Sequence, residues 1–162
     1  MRHNPAVRIS AKTDYAVRAA AELAALADEW PVKAERIAEA QGIPVAFLEN
    51  ILGQLRQAGI VDSRRGPEGG FLLARAPDRI SIADVIRAID GPLAGVSGER
   101  PETLEYEGAA APLREVWVAV RASLRAILEH TTLADLAAGE LPDAVVRSTR
   151  DPDAWVTRAP RD

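Results

Sequence analysis

The sequence predicts a mainly α-helical fold with one small β-hairpin, an α+β class in which helices dominate. Alanine and leucine are abundant and aromatic residues make up only 4% of the chain, a composition that favours helix over sheet. Most apolar residues recur at helical spacing. The exception is residues 64–71, RRGPEGGF, where a proline and three glycines indicate a tight turn between two short apolar runs.

Composition restricts the chemistry that the chain can perform. It contains no cysteine, which excludes disulfides, thiolate zinc sites, cysteine-held iron–sulfur clusters and cysteine nucleophiles, so we predict no cofactor. No apolar run approaches the roughly 18 residues that span a bilayer, and the N-terminal segment MRHNPAVRIS lacks an apolar signal core. These features predict a cytoplasmic protein without a membrane partner.

Charge is distributed unevenly along the chain. The net charge is −4, yet residues 1–79 carry eleven Lys and Arg against ten Asp and Glu, whereas residues 80–162 carry nine against fourteen. The first half is therefore near +1 and the second near −5. A small basic patch that binds phosphate is possible in the first half, and a strongly basic groove is not.

Three helices are predicted before the hairpin. The first covers residues 10–29 and begins at a serine suited to capping. The second covers residues 33–41 and ends at Gly42. The third lies within residues 43–60, with Pro44 suited to its first turn. Two short helices joined by a glycine-containing turn match the helix-turn-helix plan.

The third helix is amphipathic. Leu48, Ile51, Leu52 and Leu55 form an inward stripe at helical spacing. Its outward side chains are small, polar and nearly uncharged, and their amides and carboxylate can pair with base edges in the major groove. The alternative is an ordinary solvated helix face. The outward residues are Ala46, Glu49, Asn50, Gly53, Gln54 and Gln57.

The segment after the third helix distinguishes these interpretations. IVDSR and GFLLAR are apolar-rich runs separated by RGPEG, the pattern of a β-hairpin whose tip needs glycine for its backbone angles. A hairpin directly after a helix-turn-helix is a wing. Arg64 and Arg65 would then reach a phosphate and the minor groove. A plain surface turn is the alternative; a phosphate-cradling loop is disfavoured because residues 71–73 continue as a strand.

The second half of the chain contains a fourth helix, a linker and a long helix. The fourth helix, in residues 80–91, has Ser81 at its N-cap and Asp84 at its N3 position. Residues 91–111 lack periodicity and are predicted to be a linker. The helix over residues 112–130 would be about 28 Å long. It is too apolar for one small domain, which predicts a homodimer formed through Leu113, Val116, Trp117, Val120, Leu124, Ile127 and Leu128.

These elements divide the chain into three parts. Residues 8–79 form the predicted winged helix-turn-helix domain, and residues 80–140 contain the fourth helix, the linker and the dimerisation helix. A final short helix follows the long one, and residues 141–162 are predicted to be a flexible tail.

The order of these parts resembles the Rrf2 family of bacterial transcription regulators. The motifs SAKTDYAVRA, IPVAFLENILGQLRQAGIV, RRGPEGGFLLAR, ISIADVIRAIDGP and TTLADL carry the resemblance, which covers roughly residues 7 to 140. It implies a dimeric winged helix-turn-helix repressor that binds double-stranded DNA. The DNA contacts that it implies are Arg8, Ser10, Lys12, Ala46, Glu49, Asn50, Gln54, Arg64, Arg65 and Pro67.

The linker departs from the family pattern. The best-known members hold an iron–sulfur cluster through three linker cysteines, and residues 96–111, VSGERPETLEYEGAAA, contain none. The resemblance then implies a small-molecule or protein effector. The acidic residues of this region could form a hard-metal site or simply be solvated, and solvation is favoured. Trp30 and Trp117 suit either a ligand pocket or core packing. The acidic residues are Asp90, Glu99, Glu102, Glu105 and Glu107.

Two other functional classes compete with DNA binding. A winged-helix module that binds protein would suit the acidic total charge and the near-neutral face of the third helix. An enzyme would need a nucleophile–base pair, a metal-ligand cluster or a phosphate loop, and the sequence contains no pattern of these kinds. We therefore predict that the chain is not an enzyme.

Overall fold

The computed structural model describes residues 9–159. Within them it forms seven α-helices and one two-stranded antiparallel sheet, which confirms the predicted fold class. None of the helices in this part of the chain is long and apolar enough to cross a membrane. The elements in chain order are α1 (Ala11–Ala25), α2 (Ala34–Gln41), α3 (Val45–Gln57), β1 (Val61–Arg64), β2 (Gly70–Leu73), α4 (Ile82–Asp90), α5 (Leu113–Leu128), α6 (Leu133–Ala138) and α7 (Asp143–Thr149).

Helix α1 is the centre of the core, and α2, α3, α4 and α6 all pack against it. Its inward face is built largely from alanine: Ala16, Ala19 and Ala20 are fully buried, as is Leu23. Because alanine side chains are short, neighbouring helices can approach α1 closely on several sides. This packing joins α1, α2, α3, α4 and α6 into one compact head.

The turn between α2 and α3 follows the predicted chemistry. Gly42 adopts a left-handed conformation with φ of 61°, and its amide donates to the carbonyls of Ala38 and Glu39. The Ile43 amide donates to the same Ala38 carbonyl at 2.9 Å. Helix α3 then begins directly after Pro44. The predicted inward stripe is confirmed, since these side chains are fully buried: Leu48, Ile51, Leu52 and Leu55.

Helices α4 and α6 begin side by side. Ser81 and Asp84 form the predicted cap, with their side chains accepting from each other's backbone amides at 3.1 and 2.9 Å. Thr132 caps α6 with Asp135 in the same way. An antiparallel bridge between Ser81 and Thr132 joins the two helix starts. Both helices are thereby held in place against α1.

The C-terminal segment contains regular structure that the sequence pattern does not indicate. The sequence predicts a flexible tail over residues 141–162, and in the part of it that is described, up to residue 159, the structure forms α7 and a 3-10 turn at Pro152–Trp155. Helix α7 contacts α5, and the Trp155 Nε1 donates to the Thr149 carbonyl at 2.7 Å. These contacts involve residues with little apolar periodicity, which is why the pattern did not indicate a helix. The domain boundaries near residues 79 and 140 stay a prediction.

Candidate nucleic-acid interface

The outward face of α3 presents a pair of amide side chains. Asn50 is exposed and Gln54 is half-buried one turn later. The Gln54 Nε2 donates to the Asn50 Oδ1 at 3.2 Å, so each side chain restricts the other. Ala46 and Glu49 are exposed on the same helix. This arrangement leaves amide donors and acceptors facing outward, the groups that recognise adenine edges.

Helix α3 also exposes an aromatic residue, Phe47, which the apolar pattern of the sequence does not place on the outward face. Phe47 is 53% exposed and meets the Tyr15 ring edge to face, with ring centroids 6.2 Å apart. The Arg18 guanidinium carbon lies 5.2 Å from the Tyr15 ring centroid. An apolar residue on an amphipathic helix is expected to face inward. The sequence feature that could have indicated its exposure is its position, because Phe47 lies outside the buried stripe that begins at Leu48.

The hairpin forms the predicted wing. Val61 pairs with Leu73 and Arg64 with Gly70, so Arg64 ends β1 and Arg65 begins the turn. Both arginines are exposed. Within residues 9–159 neither guanidinium has a hydrogen bond or ion pair with another protein group. Both are therefore available to an anionic ligand such as a phosphate.

The wing glycines serve two different purposes. Gly66 has φ of 101°, a conformation that favours glycine at the tip, as predicted. A Cβ at Gly69 would lie 2.2 Å from the Arg64 carbonyl oxygen, and one at Gly70 would lie 2.5 Å from the Val32 carbonyl oxygen. The prediction from backbone angles alone was therefore incomplete. Two of the three glycines allow close approach of backbone segments.

The approach at Gly70 adds a third segment to the wing. Val32, which precedes α2, forms an antiparallel bridge with Phe71. The Val32 amide donates to the Phe71 carbonyl at 2.8 Å and the Phe71 amide donates back at 2.7 Å. These bonds fix the base of the wing to the segment before α2. The wing and the helix-turn-helix are consequently one unit.

Two cations that the sequence analysis did not select reinforce this unit. The Lys33 Nζ donates to the Pro67 carbonyl at 2.9 Å, which ties the wing tip to the start of α2. The Arg56 Nη1 donates to the Ser63 Oγ at 3.0 Å, which ties the end of α3 to β1. These contacts hold Arg64 and Arg65 at a defined position relative to α3.

The start of α1 is held by a small polar network. The Ser10 Oγ caps the helix by accepting from the Thr13 amide at 3.1 Å. The Thr13 hydroxyl is fully buried and donates to the carboxylate of Asp90, the last residue of α4. Lys12 is half-buried beside them. Arg8 lies outside the described residues.

Helix α5 carries an apolar groove that no residue between positions 9 and 159 covers. None of its 16 residues is buried, and Val116 is 50% exposed. Leu113 and Trp117 lie outside the groove, and the Trp117 Nε1 donates to the Tyr106 hydroxyl of the linker at 3.2 Å. The groove is lined by Val116, Ala119, Val120, Ser123, Leu124, Ile127 and Leu128.

The chain is similar in sequence to one family of known proteins. The family model for Rrf2, described as an iron-dependent transcriptional regulator, matches residues 9–139. Rv1287 of Mycobacterium tuberculosis, whose name describes an HTH-type transcriptional regulator, is 51% identical over 145 residues, which cover 90% of each chain. The HTH-type transcriptional regulator CymR of Bacillus subtilis is 37% identical over 131 residues, covering 81% of this chain and 90% of CymR.

Solved structures agree with the relatives. The structure of B. subtilis CymR, described as the global cysteine regulator, matches with a TM-score of 0.71 at 36% identity, covering 83% of this chain and 98% of that one. The structure of T. potens IscR matches with a TM-score of 0.65 at 31% identity, covering 94% and 93%.

The family description names iron, but the side chains of this protein do not fit a cysteine-held cluster. The full sequence has no cysteine, including in the linker before α5. In the part of the chain that the structure describes, no group of three or more His, Asp or Glu residues is placed to hold a metal ion.

The fold, the wing with its unpaired arginines and the relatives lead to one conclusion. Nothing among them favours the alternative of a winged-helix module that binds only protein. The chain belongs to the Rrf2 family, and it is a DNA-binding transcription regulator with a winged helix-turn-helix head.

Proposed function

We propose that the protein is a homodimeric repressor that binds a pseudo-palindromic operator and answers to a small-molecule or protein effector. The observation that carries the dimer is α5, an amphipathic helix of 16 residues without a buried side chain. Burial of apolar area is the main favourable term in association, so an uncovered apolar groove favours a second copy. The same groove on both subunits would form a self-complementary interface.

The contacts to DNA follow from the geometry of the head. Helix α3 enters the major groove with Asn50 and Gln54 towards base edges and Phe47 towards a thymine methyl group. Arg64 and Arg65 reach the backbone and the adjacent minor groove from the wing. Ser10 and Lys12 bring the start of α1 to a phosphate, where unpaired backbone amides bind anions. The remaining proposed contacts are Arg8, Ala46, Glu49 and Pro67.

The dimer sets the spacing of the operator. Two heads joined through α5 place two α3 helices in successive major grooves, about 34–36 Å apart along the DNA. An effector that changes the angle between the heads alters this spacing and thus the affinity. Because its target is bacterial DNA, we place the protein in the cytoplasm.

The test begins with selection of binding sites from a pool of random DNA duplexes. We expect one pseudo-palindromic sequence to be enriched, and fluorescence anisotropy should show that its binding weakens steeply as salt rises. Arg65→Ala should lower the affinity roughly tenfold and reduce the salt dependence, since one phosphate or groove contact is lost.

Arg150→Ala is the matched control, because it removes the same charge from an exposed position after α7. It should leave the affinity near that of the wild type. Failure to enrich any sequence, or equal affinities for Arg65→Ala and Arg150→Ala, would contradict the proposed DNA contacts.

A further inference from the structure

A cavity of about 400 Å³ lies between the end of α4, the linker and α5. Small-molecule sites in proteins commonly have volumes of about 300–1,000 Å³. Its apolar wall includes Leu93 and Pro101, both buried, and its polar wall contains four arginines. Guanidinium groups that converge on a concave site are typical of oxyanion recognition. The arginines are Arg87, Arg100, Arg121 and Arg125.

Two of these arginines are already engaged. Arg121 forms an ion pair with Glu102, and its side chain is only 14% exposed. The pKa of the Glu102 carboxyl is lowered first by a hydrogen bond from the Glu102 backbone amide and then by one from the Arg121 side chain. Arg87 forms an ion pair with Glu129. The first pair attaches the linker to α5, and the second attaches α4 to the end of α5. Together they hold the walls of the cavity in place.

The other two arginines retain donors for a ligand. The Arg125 Nε lies 3.7 Å from the Glu129 Oε1, and within residues 9–159 neither terminal nitrogen of Arg125 makes a hydrogen bond. Within residues 9–159 the Arg100 guanidinium makes no hydrogen bond or ion pair. Asp90 and Glu99 also line the cavity, so a ligand must place its oxyanion at the arginines. Any positive group that it carries would be placed near these carboxylates.

Asp90 connects the cavity to the DNA-binding head. Asp90 lines the cavity, and its carboxylate accepts from the buried Thr13 hydroxyl, with the Ser10 hydroxyl 3.4 Å away. A negative charge brought into the cavity acts directly on this carboxylate. The start of α1 is one of the proposed phosphate contacts, so a shift of Asp90 is transmitted to the DNA-facing surface.

We propose that this cavity binds a small metabolite through a carboxylate or phosphate group held by Arg100 and Arg125, and that Asp90 transmits binding to the start of α1. The proposal deepens the effector part of the proposed function. Binding of the metabolite and binding of DNA are then linked, each changing the affinity of the other by the same factor.

Binding is tested without DNA, so that its failure is distinct from failure of the regulator function. Inorganic phosphate, succinate and L-glutamate are titrated into the full chain by isothermal calorimetry, with sodium chloride at equal ionic strength as the reference. We expect saturable binding of at least one probe. Phosphate alone, succinate alone or glutamate alone identifies which oxyanion source the cavity takes. Binding by no probe overturns the proposal.

Variants test the location of the site. Arg100→Gln and Arg125→Gln should each weaken binding roughly tenfold, because each removes charge-assisted hydrogen bonds to the ligand. Arg114→Gln is the matched control on α5, since Arg114 is exposed and lies outside the cavity. Equal binding by all three variants would mean non-specific association and would overturn the site.

The link to the head is tested with Thr13→Val, which removes the hydroxyl that donates to Asp90 and keeps a side chain of similar shape. The variant should bind the probe with unchanged affinity, while the effect of the probe on DNA affinity falls at least several-fold from that in the wild type. A variant whose DNA affinity responds to the probe as the wild type does would overturn the transmission through Asp90.

Discussion

Helices α3 and α5 carry comparable apolar stripes, but the two stripes have different surroundings. In α3 the four stripe residues are fully buried by α1, α2 and α4, which belong to the same chain. In α5 no residue is buried, although the stripe is longer. Amphipathicity therefore identifies a face that must be covered, and it does not identify which molecule covers it.

The outward faces of the two helices differ in polarity. The outward face of α3 is polar apart from Val45, Ala46 and Phe47 in its first turn, and it suits a hydrated DNA groove. The outward face of α5 is apolar, and it suits a protein surface. In the proposed function, α3 therefore uses its apolar side for folding and its polar side for DNA recognition, whereas α5 uses its apolar side for association with a second copy.

The largest expected effect separates folding from association. Leu52→Ala should lower the free energy of unfolding by about 2–5 kcal/mol, because it leaves a cavity in a closed core. Leu124→Ala should cost less, and its cost should disappear on dilution below the dissociation constant of the dimer. Urea denaturation followed by circular dichroism at high and low protein concentration measures both. Similar costs for both variants at every concentration would remove the distinction.

The second effect concerns the proposed dimer. Leu124→Glu puts a charge into the apolar groove of α5 and should convert the dimer to a monomer, with at least a tenfold loss of operator affinity as the two heads separate. Ala122→Glu adds the same charge on the exposed opposite side of α5 and should stay dimeric. Sedimentation equilibrium measures the mass. A wild-type chain that sediments as a monomer would contradict the assigned role of α5.

The third effect separates the two faces of α3. A Cβ at Gly53 would meet no atom within 4 Å, so Gly53→Ala should raise the free energy of unfolding by about 0.5–1 kcal/mol, as expected in a helix interior. The added methyl group should nevertheless lower operator affinity several-fold, because it occupies the face that approaches DNA. Thermal denaturation and fluorescence anisotropy measure the two quantities. Unchanged or higher affinity would show that this turn of α3 stays clear of the groove.

The smallest effect concerns the ion pair between Arg87 of α4 and Glu129 at the end of α5. A hydrogen bond from Arg87 lowers the pKa of the Glu129 carboxyl. A lowered pKa contributes stability above the usual carboxyl pKa, and this stability is lost as the pH falls through the lowered value. Glu129→Gln should therefore reduce stability slightly at neutral pH and flatten its decline in acid.

Thermal unfolding at about pH 7 and about pH 3 measures this difference. Glu105→Gln, at an exposed linker position, is the control and should follow the wild type at both values. The same acid-induced decline in Glu129→Gln and in the wild type would mean that the pair does not join α4 to α5 in solution.

The features that the sequence determined by itself are local. The cap of α4, the stop at Gly42 and the buried stripe of α3 each depend on residues within one or two helical turns, so spacing and residue type were sufficient to predict them. The glycine pattern of the wing was also recognisable, because a tight turn restricts which residues can occupy it. These signals predicted the order of elements and the site of most proposed DNA contacts.

Only the tertiary structure decided the contacts between distant parts of the chain. The bond from Thr13 to Asp90 joins residues 77 positions apart, and Gly70 must be glycine because Val32 passes beside it. The exposure of Phe47 and the convergence of arginines from α4, the linker and α5 on one cavity likewise depend on how the elements pack. Spacing along a chain carries no information about such approaches, because they arise only when separate elements bury their apolar faces together.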